Sequence, residues 1–271
     1  MKQFLLTIIL ILSFAYTKCY SQNETHQVLI ISEYGEKSPN SANWSISGGI
    51  LEATAEATVH PIVIEKALDL GDLSIQVSGE KGTILIQSSI HSAKSRKLKL
   101  IAQSSIQVYE SIEISGGEIY LSVRDKQTAQ GSICIDGDIS VASVNGQGGN
   151  ILLEAKDISL LENAKLLATG PTGGGNILVG GDWQGGVSKD NRVFEDPNKL
   201  MQATKVSMHS KAIIDASATE NGNGGTVVLW SDIKNPTSVT KAHGTIYAKG
   251  GSRSGEGGMI ETSGFELLIS G

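Results

Sequence analysis

The sequence has little cysteine, proline, aromatic residue or charge, and each shortage excludes something. There are two cysteines, Cys19 and Cys134, among 271 residues. That is too few for a Cys-based zinc site. His26, His60, His91, His209 and His243 never stand at metal-ligand spacing from one another. Five prolines accompany 32 glycines, so the glycine excess is not the Pro/Gly-rich composition of a disordered chain. Of the 22 basic residues, Lys2 and Lys18 lie near the N-terminus; without them 20 face 28 acidic residues. An acidic chain with no basic stripe lacks the footprint for nucleic acid or an anionic membrane. No glycine run leads into the Lys-Ser/Thr helix start of a phosphate cradle. Beyond Ala15 no apolar run approaches membrane length.

What is present begins with an export signal. Lys2 precedes an apolar run from Phe4 to Ala15, too short to span a bilayer comfortably. This predicts a signal peptide over residues 1–21, cleaved after Ser21. A buried N-terminal element and a lipid-modified Cys19 are the alternatives. Cleavage there leaves Cys134 alone, so the mature chain is expected to have no internal disulfide.

The remainder repeats. A glycine pair, one further residue and an apolar strand recur at Gly116-Gly117-Glu118-Ile119, Gly148-Gly149-Asn150-Ile151 and Gly174-Gly175-Asn176-Ile177. They return at Gly224-Gly225-Thr226-Val227 and Gly257-Gly258-Met259-Ile260. A weaker unit lies between them, as in Ala164–Thr169, Ala212–Ser217 and Gly244–Lys249. The interval after Gly175 is long because it holds a polar insert around Ser188–Asn198. No segment after the leader keeps a 3.6-residue stripe, and Val59-His60-Pro61 is read as breaking any helix.

Glycine pairs permit positive φ and sharp corners. Strands between corners place alternate side chains inward. Repeated corner and strand wind into stacked coils around an apolar column, and parallel crossovers are right-handed in nearly all cases. The predicted fold is all-β, a right-handed parallel β-helix. A two-sheet sandwich is the rival, but it does not explain the recurring corner. Ile151, Ile177 and Val227 should form one inward row. Asn150 and Asn176 should either bond to each other along the axis or cap their own turns.

Gly174–Gly186, Ala212–Ala218, Asn223–Asp232 and Gly244–Gly264 resemble the repeats of filamentous-haemagglutinin-like secreted proteins. The resemblance covers residues 116–271, with 22–115 an irregular, β-rich start. It implies a secreted or cell-surface adhesin-like β-helix from a bacterium with an outer membrane. Implied partners are an outer-membrane secretion transporter and a glycan or a host or neighbour-cell surface protein. No clear Asn-Pro-Asn secretion motif stands near the N-terminus.

Some β-helices cleave acidic polysaccharides, so carboxylates need scrutiny. Asp136 with Asp138 is the best pair, two apart on one strand face or in a solvated turn. Asp182, Asp215 and Asp232 are scattered. Trp183 suits either a sugar ring or the end of the apolar column. The face of Trp230 is open. The expectation is a non-enzymatic protein with no catalytic, cofactor or metal residues. The alternatives are a β-helical polysaccharide lyase or hydrolase, or a segment of a self-assembling envelope layer. The uncapped apolar strand at Phe265–Ile269 is expected to continue a longer β-helix or to self-associate, unless Phe265 and Leu267 fold back as a plug.

Export is directly testable. Protein from the native cell should begin at or near Gln22 and lie outside the inner membrane. N-terminal sequencing that returns intact Met1 would remove the signal-peptide reading.

Overall fold

The computed structural model describes residues 28–38, 42–77, 79, 81–124, 131–186 and 200–270. The leader and the Ser188–Asn198 insert lie outside them. The chain is a parallel β-helix with three sheets of nine, six and nine strands. Six successive coils, from Leu73–Val77 to Thr245–Tyr247, each supply one strand to each sheet. Asp157–Leu160, Lys165–Leu167 and Asn176–Val179 stack in this way on Ser132–Ile135, Asp138–Ser140 and Asn150–Glu154. Pairing is parallel throughout, except in the hairpin Trp44–Ser47/Ile50–Ala53. Its turn, Gly48-Gly49, takes φ of 56° and 77°, as a two-residue hairpin of matching twist requires.

The inward residues form continuous rows. Leu73, Leu98, Ile119, Ile151, Ile177 and Val227 pair one above another in the third sheet, and from Leu98 to Val227 each is completely buried. Ile84, Ile106, Ile133, Ile158 and Val206 do the same in the first sheet, and Ile90, Ile112, Ile139, Leu166 and Ile214 in the second. Burial of these branched side chains, each contributing about 1.5–3 kcal/mol, is the main term holding the coils together.

Gly116 takes the positive φ expected of a glycine corner, 60°, but the later glycine pairs serve a different end. None of Gly148, Gly149, Gly174, Gly175, Gly224 or Gly225 has positive φ. They are required by close approach. A Cβ on Gly149, Gly175, Gly225 or Gly258 would stand 1.7–2.0 Å from the carbonyl oxygen of the equivalent glycine one coil below. A Cβ on Gly148, Gly174 or Gly224 would strike the carbonyl oxygen of Ala168, Ala216 or Ala248. Those alanine oxygens accept from Gly175, Gly225 and Gly258 N–H at 2.7 Å. The two repeat units of the sequence therefore meet at this corner.

The expectation of no helix fails at Pro61–Leu70, here α1. Proline breaks a helix interior but suits the first turn, where its missing N–H is no loss. His60 is the N-cap, its Nδ1 accepting from Ile62 N–H at 3.1 Å. Pro61, Ile64 and Leu68 recur at helical spacing and are buried. α1 occupies the place of a strand at the end of the second sheet, beside Ile90–Ser92, where Glu65 Oε1 accepts from His91 N–H. Ala57–Val59 ends the first sheet and the hairpin ends the third, so a different element stands at this end of each sheet.

At the other end Glu266–Ile269 continues the first sheet in register with Val239–Ala242. Phe265 and Leu267 do not fold back, and the strand is exposed. Cys134 is disulfide-bonded in the full-length chain, whereas the expectation of no internal disulfide concerns the mature chain. That expectation assumes loss of Cys19, which lies outside the described residues.

The register can be checked by paired substitutions. Ile177→Ala should cost about 2–5 kcal/mol in urea unfolding, as a truncation in a filled core does. Asn176→Ala, on the outside of the same strand, should cost about 1 kcal/mol or less. Equal effects would show the inward and outward faces to be misassigned.

Candidate functional site

The sequence candidates are engaged in local structure. Asp136 and Asp138 line one groove of about 410 Å³ with Glu162, Lys165 and Lys211. Asp136 Oδ1 accepts from Asn163 Nδ2 at 3.2 Å, and Asp138 pairs with Lys165 at 3.1 Å. Glu162 pairs with Lys211. These contacts each join one coil to the next. Asp215 Oδ1 accepts from Ser217 N–H and Asp232 Oδ1 from Lys234 N–H, both holding turns. The histidines are equally dispersed: His91 faces Glu113, His209 Nδ1 accepts from Lys211 N–H and His243 meets Ser270. His26 lies outside the described residues. Among the described residues no cluster of three or more His, Cys, Asp or Glu side chains could hold a metal ion.

The more elaborate feature lies on the outer face of the third sheet. Leu152, Leu178 and Val228 pair in successive coils and point away from the column, yet all are buried. Trp230 joins them at 3% exposure, and Tyr120, Trp183 and Leu200 pack around the edge. The described stretches that follow Gly180 and precede Ala203 contribute one of these side chains each, Trp183 and Leu200. The glycines of the first stretch are again steric. A Cβ on Gly181 would stand 2.4 Å from Trp230 Cδ1, and one on Gly185 2.6 Å from Cζ2. Thus Gly180-Gly181-Asp182-Trp183-Gln184-Gly185-Gly186 lies flat on the Trp230 indole. Trp183 covers this outer patch and not the end of the inner column, because its turn rides on Trp230. Asp182 Oδ1 accepts from Trp183 N–H at 2.7 Å, which shapes the turn. Trp230 Nε1 donates to Gln202 Oε1 at 3.1 Å.

Glu154 fastens the edge of this patch. It continues the outward row after Leu152, and it is 1% exposed. Its Oε2 accepts from the Tyr120 hydroxyl, from Ser122 Oγ at 3.0 Å and from Arg124 Nη2 at 3.2 Å. Its Oε1 accepts from Met201 N–H at 2.8 Å. Burial and the Glu154 carboxylate together push the Tyr120 phenol above its ordinary pKa. Burial, the largest single influence, would lower Arg124, but the Glu154 charge together with Tyr120 and the hydrogen bonds to both raises the guanidinium. A carboxylate engaged by these four partners ties Met201 to the outer face of the third sheet. Glu154 was legible only as an acid at an outward strand position, which carries no signal until the covering segment is known.

No family model matches the sequence, and no curated protein matches it. Among solved structures the chain resembles the HMW1 secretion domain from Haemophilus influenzae, with a TM-score of 0.56 and 21% identity over 74% of this chain. It spans about half of that structure, 54% of its length. The likeness is one of fold. Among the described residues no helix is long and apolar enough to cross a membrane.

Glu154→Ala should cost about 3 kcal/mol in denaturant unfolding, the lower end for a broken buried pair, since Arg124 can turn to solvent. Tyr120 also predicts alkaline lability. Its raised pKa contributes stability below the ordinary tyrosine value near 10, lost as pH rises through the folded value. Tyr120→Phe should flatten that loss. An unchanged alkaline unfolding profile would remove Tyr120 from the account.

Proposed function

We propose that this is a non-enzymatic, secreted or cell-surface β-helix that works by adhesin-like binding on its outer faces. The observation that carries the reading is the order of those faces. Outward side chains stand in register over successive coils, as Glu118, Asn150 and Asn176 do. A rigid, periodic surface is costly to build and suits recognition of an extended or repeating partner, because little is ordered on binding. The carboxylates that a polysaccharide-cleaving site would use are instead joined to lysine or to turn N–H groups. Similarity to a secretion domain supports export, with an outer-membrane transporter as a partner.

Purified mature chain should bind bacterial or host cell surfaces and release no unsaturated or reducing sugar ends from acidic polysaccharides. Joint replacement Asp136→Asn and Asp138→Asn should leave binding intact. Robust turnover of a pectin-like substrate, abolished by that double change, would overturn the proposal in favour of a lyase or hydrolase.

A further inference from the structure

A second outer feature lies apart from the Trp230 patch. At the start of the third-sheet strands, Lys97, Glu118, Asn150 and Asn176 share one register row, and Asp72 precedes the strand position paired with Leu98. They pair in two groups, Asp72–Lys97–Glu118 and Asn150–Asn176, which together make a ladder of side chains along the row. Asp72 Oδ1 accepts from Lys97 N–H at 2.9 Å, Lys97 Nζ lies 2.8 Å from Glu118 Oε1, and Asn176 Nδ2 donates to Asn150 Oδ1 at 2.9 Å. All five line an open groove of about 570 Å³, with Gln147 on its flank. Gln147 is held there by donating to Gly174 O at 3.0 Å.

Three properties of the groove point to one ligand chemistry. Its rungs repeat at the coil spacing of ~4.8 Å, so five rungs span ~19 Å. That rise is about the length of one pyranose ring in an extended chain. The ladder consumes only Oδ1 of Asn150 and one N–H of Asn176, which leaves amide donors and an acceptor facing outward. Sugar hydroxyls need both. The charges cancel, since Asp72 and Glu118 are balanced by Lys97 and by Arg96, which also lines the groove. A neutral polymer is therefore favoured over an acidic one. We propose that this groove binds a linear, uncharged polysaccharide lying along the coil axis, about one sugar per coil. The proposal rests on the binding reading above and gives it a ligand class.

Calorimetric titration of the mature chain with β-1,4-linked oligomers of glucose, mannose and N-acetylglucosamine, from disaccharide upward, tests it. Affinity for at least one series should rise with each added sugar and level off near five. Asn150→Ala should lower the affinity for the pentasaccharide about tenfold, with the thermal midpoint moved by no more than a few degrees, as loss of one side-chain hydrogen bond allows. Gln147→Trp, which leaves the ladder intact and fills the groove, should do the same. No binding in any series, binding without length dependence, or affinity unmoved by both variants overturns the groove. So does tighter binding of polygalacturonate. Cell binding measured in parallel separates the two readings. Cells bound equally by wild type and Asn150→Ala, without oligosaccharide binding, overturn the groove and keep the adhesive function. Oligosaccharide binding without cell binding does the reverse.

Discussion

The structure depends on one close approach, the contact of backbone with backbone at the glycine corner. Gly117, Gly149, Gly175, Gly225 and Gly258 sit on one another so tightly that a methyl group on the last four would lie within 2.0 Å of the oxygen below. The same carbonyls accept from Asn150, Asn176, Thr226 and Met259 N–H at 2.9–3.0 Å. This contact sets the level of each coil relative to the next. Once it is made, every residue after the corner is in register with its counterparts, and the apolar rows fill from coil to coil. A slip of one residue would turn each strand's inward set to solvent.

Charge supports the same register from outside. Lys97 opposes Glu118, Lys165 opposes Asp138 and Lys205 opposes Asp157, each directly across a parallel pair at 2.8–3.2 Å. Exposed pairs of this kind contribute little individually. Their value lies in discrimination, since a shifted coil would place like charges or apolar groups opposite them.

The β-helix was legible because its determinants are local and repeated. Glycine pairs, the following Ile or Val and the alternation of each strand all survive in the linear order. The inward row Ile151–Ile177–Val227 and the Asn150–Asn176 bond follow from equal offsets to the corner. The parts that sequence reasoning missed have no such repetition. α1 was hidden because a proline reads as a breaker unless the N-cap His60 and the spacing Pro61, Ile64, Leu68 are weighed together. Before Gly116 the one glycine pair, Gly48-Gly49, turns a hairpin and marks no coil corner, though strands such as Thr83–Ile86 and Lys97–Ala102 obey the same register. The patch at Trp230 and its tie at Glu154 arise from the stretches that follow Gly180 and precede Ala203, and a contact between residues 154 and 201 leaves no period to detect.

The distribution of freedom in such a fold decides where function can reside. Inward positions must stay apolar and of similar volume, because each is wedged between two neighbours. Corner positions must stay glycine where a carbonyl approaches. Only outward strand positions, corner loops and stretches such as those that follow Gly180 and precede Ala203 can vary without unstacking the coil. Polar residues at those places therefore carry more information than any in the column. Two sets stand out among them. Glu154, Tyr120 and Arg124 are spent on one another and on holding Met201. Asn150 and Asn176 hold each other, Gln147 is held by the Gly174 carbonyl, and all three still present amide groups at the groove. An outward row that is fixed, periodic and incompletely satisfied is the arrangement from which a repeating polymer can gain hydrogen bonds without first ordering the protein.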